Sequence, residues 1–133
     1  MTAKEYLSGY KDMCEQLSDR LQEVRGLKDM KYNISASFDS ASKASGGDSR
    51  MSRIVAKMDE LEELVEREVA CIANKKMEIE RAIGSVRSEQ FRTLLEKKYI
   101  QFKSLEVIAV EMGYGYRHIC RLHGEALKQI RCP

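Results

Sequence analysis

Pro133, the last residue, is the only proline of the chain. No ring interrupts a helix anywhere ahead of it, and the apolar residues recur at helical rather than alternating spacings. Over residues 2–31, Tyr10, Cys14, Leu17, Leu21 and Val24 stand alternately four and three apart, with Tyr6, Met13 and Leu27 widening the stripe. That is a heptad seam. A second seam runs from about Met51 to Ile83 through Ile54, Met58, Leu61, Val65, Ile72, Ile79 and Ile83, between faces of Glu, Lys and Arg. At ~1.5 Å per residue its helix is roughly 50 Å long. Between the seams the composition turns to Ser, Ala, Gly and Asp, including Ser45-Gly46-Gly47-Asp48-Ser49. Such a segment buries too little apolar surface to offset its ordering entropy, which predicts a flexible connection over about 33–50. Two amphipathic helices so joined fold back most simply as an antiparallel, coiled-coil-like hairpin over residues 1–86. Its core is thin, and Glu68 and Lys75 interrupt the second seam, where a charge is costly unless paired or facing water. Self-association through residues 2–83 is therefore expected.

Gly84-Ser85 and Ser88, a helix breaker and an N-cap, separate this region from a compact unit over residues 87–133. Within it, Leu105, Ile108, Ala109 and Met112 fall on one helix face, Ser104 is placed to cap its first turn, and Gly113 supplies a left-handed stop. A second period follows. Ile119, Leu122, Ala126 and Ile130 line its inner face, while Arg117, Arg121 and Lys128 recur on the opposite face with His118 beside them. A short helix with an apolar inner side and a basic outer stripe is what entry into a DNA major groove requires. The expected fold class is thus all-α, a long N-terminal hairpin followed by a three-helix helix-turn-helix unit.

These residues resemble the fourth region of bacterial RNA polymerase sigma factors. The matching positions are Ser104-Leu105 with Ile108-Ala109, Met112-Gly113, Arg117 with Ile119, and Ala126-Leu127 with Ile130-Arg131; Leu94 to Ile100 look like the helix that packs behind the motif. In layout the whole chain is similar to small transcription regulators of phages and prophages of Gram-positive bacteria. Gly115 departs from the pattern, standing where sigma factors usually carry a serine or threonine that caps the recognition helix and touches phosphate, and Tyr116 follows where a small polar residue is common. The resemblance implies double-stranded promoter DNA as partner, together with contact to RNA polymerase. On this reading Arg117 and Arg121 pair with base edges, Lys103 and Lys128 hold phosphates, Ser104 caps, and Tyr116 and His118 touch backbone or a thymine methyl.

Charge supports the assignment of ends. Residues 88–133 hold eight Lys or Arg against five Glu, whereas the net charge of the whole chain is only +2. So mild an excess attracts a polyanion weakly, and tight binding calls for two copies or a partner. Clustered aromatics of the kind that separate DNA strands are missing and there is no tryptophan, so the chain is not read as a complete sigma factor.

Cys14, Cys71, Cys120 and Cys132 show no paired spacing, the N-terminus carries no apolar signal region, and no apolar run reaches the ~20 residues that span a bilayer. A reduced, cytoplasmic, nucleoid-associated homo-oligomer without membrane contact is expected. His118, Cys120, His123 and Cys132 are competent zinc ligands. On one helix, however, positions 118 and 120 lie about 200° apart, so no metal or other cofactor is expected, Cys120 is read as a flank residue and His123 as a half-buried polar edge. No nucleophile, base and acid stand at readable spacing, which argues against an enzyme. Two other functions share these features: a small-terminase-like DNA-packaging subunit, and a coiled-coil adaptor with no affinity for DNA.

Overall fold

A computed structural model describes the backbone of residues 1–40 and 46–132 and the side chains of residues 1–36 and 49–132. The described residues are all-helical. Five α-helices follow one another, α1 Ala3–Ser40, α2 Gly46–Gly84, α3 Glu89–Leu95, α4 Leu105–Met112 and α5 Tyr116–Lys128, with a π-helical turn over Glu96–Ile100 between α3 and α4. None of these helices is long and apolar enough to cross a membrane.

Of the segment 33–50 expected as a flexible connection, residues 33–40 and 46–50 are helical. Helix continues to Ser40 and begins again at Gly46, and residues 41–45 lie outside the described residues. The reason is that scarce apolar surface limits burial but does not stop a helix already nucleated, and 33–40 contain neither Gly nor Pro.

Packing divides the chain into two compact units, one made of Met1–Cys14 with Cys71–Pro133 and one of Glu15–Ala70. The division expected from the sequence, at residue 86, does not coincide with this. Tyr6 and Leu7 of α1, Ile79 and Ile83 of α2, Val86, Leu95, Tyr99, Ala126 and Ile130 form a single buried cluster in the first unit. Its ends run antiparallel: Tyr6 Oη donates to Glu78 Oε1 at 2.9 Å, and three residues further along α1 Gly9 lies 3.4 Å, measured from an ideal Cβ, from the Lys75 side chain. Gly9 thus leaves room for Lys75, whose ammonium sits 4.2 Å from the centre of the Tyr6 ring and 3.9 Å from Glu78. Burial, then the Glu78 carboxylate, push the Tyr6 hydroxyl up to about 12.

In the second unit Val24 of α1 and Ile54, Met58 and Leu61 of α2 are buried. Glu68, the other charge in the seam, accepts a 2.6 Å bond from Arg20 Nε, while its Oε2 is enclosed without a partner. Both interruptions of the second seam are therefore answered by a partner on α1. Leu21 departs from the expected seam and is 49 % exposed. It lies roughly 60° around the helix from buried Val24, at the edge of the stripe, and a single facing helix covers only a narrow arc.

α3, α4 and α5 complete the first unit. Ser88 caps α3 by accepting from the Phe91 amide at 3.3 Å. Arg92 donates to the carbonyls of Val86 and Arg87 at 2.6 and 2.9 Å, fastening the segment between α2 and α3. Leu94, Ile108, Ala109, Ile119 and Leu122 form a second buried cluster among α3, α4 and α5. Phe102, just past the π turn, adopts a left-handed φ of 59°. For a residue with a Cβ that costs about 1–2 kcal/mol; the 5.4 Å ring contact with Tyr10 and the 3.0 Å bond from the Lys103 amide to the Lys97 carbonyl hold it there.

Candidate nucleic-acid interface

The α4–α5 pair is set by local chemistry. Ser104 Oγ accepts from the Val107 amide at 3.3 Å and starts α4. Gly113, at φ 75°, ends it, and the Tyr114 amide reaches back to the Ala109 carbonyl at 2.9 Å. That six-to-one bond with a left-handed glycine is a Schellman stop. Gly115 then precedes α5 in an extended conformation, with no side-chain bond to the first-turn amides. A serine or threonine at Gly115 would supply that bond.

α5 has two sides. Ile119, Leu122, His123 and Ala126 are buried, while Tyr116, Arg117, Arg121 and Lys128 are exposed. Arg117 and Lys128 have no protein partner among the described residues, so both cations are free to meet a polyanion. Gly124 lies between the basic positions, and an added Cβ would meet nothing within 4 Å. The middle of the stripe is flat for that reason. Glu125, also exposed, is the one acid in the helix.

The remaining expected residues are held differently from one another. Lys103 is bound to Glu111 Oε1 at 2.9 Å, and Lys97 reaches the same oxygen at 2.6 Å. The bond from Lys97, then that from Lys103, holds the Glu111 carboxyl below the usual carboxylate range. Lys103 is thus a brace between the approach to α4 and α4 itself. The Tyr116 hydroxyl is pushed up chiefly by Cys120, one turn along the helix. His118 Nδ1 bonds Arg121 Nη2 at 2.9 Å, and its ring meets the Tyr114 ring at 4.9 Å and 70°. Tyr114 Oη in turn accepts from Gln90 Nε2 at 2.6 Å. Gln90, Glu111 and Tyr114 were not legible as participants, because each works through a partner in another element.

His123 is a correction. It is 8 % exposed rather than half-buried, its Nε2 lies 2.7 Å from Tyr99 Oη, and the two rings stack at 5.7 Å. The sequence shows Tyr99 as one more apolar position and not as a hydrogen-bond partner. Burial first, then Lys98 and Lys4, lower the His123 pKa, and burial pushes Tyr99 up to about 12. A histidine held below its unfolded value takes up its proton more readily when the chain unfolds. Stability is therefore full above about pH 6.5 and falls as the pH drops towards the folded value. Urea unfolding at pH 7.5 and 5.5 should show that loss in the wild type and a smaller one in His123→Gln. Equal losses would place the titration elsewhere.

The four metal-competent residues are not gathered. His123 faces Tyr99, His118 faces Arg121, and no group of three or more His, Cys, Asp or Glu side chains arranged for a metal ion occurs among the described residues. Chemically the exposed side of α5 offers guanidinium and ammonium donors over a flat helix surface. Compared with known proteins, the chain matches no family model, no curated protein and no solved structure.

Proposed function

We propose that the chain is a sequence-specific DNA-binding regulator of transcription, of phage or prophage type, in which α4, the Gly113–Gly115 connection and α5 act as a sigma-like helix-turn-helix on promoter DNA. The observation that carries this reading is the two-sidedness of α5. Its apolar side is consumed by the core, and its other side presents Arg117, Arg121 and Lys128 to solvent with only Gly124 and Glu125 between the last two. This face is basic at three of its positions and carries one acid, Glu125, four residues after Arg121, an excess of cations over what i, i+4 pairing on a solvated helix would use. Arg117 and Arg121 are assigned to base edges, Lys128 to phosphate, and Tyr116 to the backbone at the helix start. Ser104 positions α4. Lys103 reaches phosphate only by leaving Glu111.

Leu21, Met30 and Val69 stay exposed on α1 and α2, and this uncovered apolar surface supports self-association of two copies of the chain, while the resemblance to sigma factors extends the partners to RNA polymerase. Two copies answer the weak overall charge of +2, since two stripes engage twice the phosphates. The test is selection of fragments of bacterial genomic DNA by the full chain in excess competitor, followed by titration of the enriched fragment at several salt concentrations. Enrichment of a discrete set, with log affinity falling linearly in log salt, is expected. Equal recovery of all fragments removes sequence-specific reading, and no binding at low salt leaves an adaptor.

A further inference from the structure

We infer that Gln90, Tyr114 and His118 are positioning residues that set the Arg121 guanidinium, and that His118 is not itself a reader of DNA. The inference rests on the DNA-reading role proposed above and adds three residues to it. Gln90 belongs to α3, Tyr114 to the connection and His118 to α5, so the array anchors the exposed arginine to two further parts of the first unit. The contacts form a series from α3 to α5. Gln90 Nε2 donates to Tyr114 Oη at 2.6 Å, which fixes the phenol; the phenol meets the His118 imidazole at 4.9 Å and 70°; and His118 Nδ1 lies 2.9 Å from Arg121 Nη2. A guanidinium only donates, so Nδ1 accepts and the ring proton sits on Nε2.

Reading a base pair through two parallel bonds requires the plane of the guanidinium to be aimed before contact. Arg121 has that aim from His118. Arg117, one turn earlier on the same face, has no protein partner among the described residues and must be ordered by the DNA. The two arginines therefore differ: Arg121 is preset and Arg117 adapts.

The side-chain chemistry at position 118 gives the test. Asn carries its amide oxygen at the place of Nδ1, and Gln carries its amide near the place of Nε2, so only Asn restores the acceptor. The full chain and its His118→Ala, His118→Gln, His118→Asn, Tyr114→Phe and Arg121→Ala variants are titrated against the preferred fragment and against random duplex DNA, with thermal unfolding as the check on folding. We expect His118→Ala and His118→Gln to reduce the ratio of the two affinities by roughly three- to tenfold, a part of what a bidentate contact supplies, with random binding unchanged. His118→Asn should keep the wild-type ratio. Tyr114→Phe, which keeps the ring and loses Gln90, should lower it less. Equal losses on both DNAs for all three His118 variants would make His118 a backbone contact and overturn the inference, as would a His118→Gln ratio equal to wild type. A ratio lost in Arg121→Ala but kept in His118→Ala overturns positioning alone, whereas an unchanged ratio in Arg121→Ala removes the underlying reading as well.

Discussion

Replacing Leu7 with Ala should lower the unfolding free energy by about 2–5 kcal/mol, the range for a fully buried leucine whose cavity cannot collapse. Leu7 is completely enclosed, and its cluster includes Leu95, Tyr99, Ala126 and Ile130 as well as Ile79 and Ile83. The loss should therefore be felt by the helices past residue 87. Amide exchange of α3 and α5 should quicken together with that of α1 when residue 7 is truncated. If α3, α4 and α5 kept their protection while only α1 frayed, the compact unit would begin after α2 and the N-terminal segment would merely lie on its surface.

Arg117→Ala and Arg121→Ala should each cost about 1–3 kcal/mol on the preferred fragment and little on random duplex, because only the specific complex forms the bidentate bond. Lys128→Ala should instead weaken both DNAs alike and reduce the salt slope by about one ion, since a phosphate contact releases a counterion and carries no sequence information. Selectivity falls in the first case and affinity alone in the second. Three variants that fold normally and bind like the wild type would show the stripe to be an ordinary solvated face. All three side chains are exposed and outside both buried clusters, so their removal separates recognition from stability.

What the sequence made legible was mostly what is decided within one turn of chain. Ser88, Ser104 and Gly113 act as expected because a cap or a left-handed stop depends on its neighbours three and four residues away. Ile108, Ala109, Ile119, Leu122 and Ala126 are buried as their periodicity predicts. Leu7, by contrast, lies outside the expected N-terminal seam and yet is enclosed, since the elements that cover it are distant in sequence. The π turn over Glu96–Ile100 has no composition signature, and through it Tyr99 reaches His123. At the candidate interface the exposed arginines were readable from spacing. The brace from Gln90 to His118 was not, because it joins residues whose meeting depends on how α3 lies against α5.

The cluster around Leu7 also bears on the order in which the chain can fold. Tyr6 and Leu7 leave a ribosome well before Ala126 and Ile130, which share their core. Contacts of such wide sequence separation close slowly, because loop entropy is lost before the contacts form. During synthesis α1 and α2 can pair as soon as α2 is complete, but the apolar sides of Tyr6, Ile79 and Ile83 wait uncovered until α5 arrives. Synthesis thus passes through a half-built state with an exposed apolar face, the kind of species that associates with its own copies before it is finished.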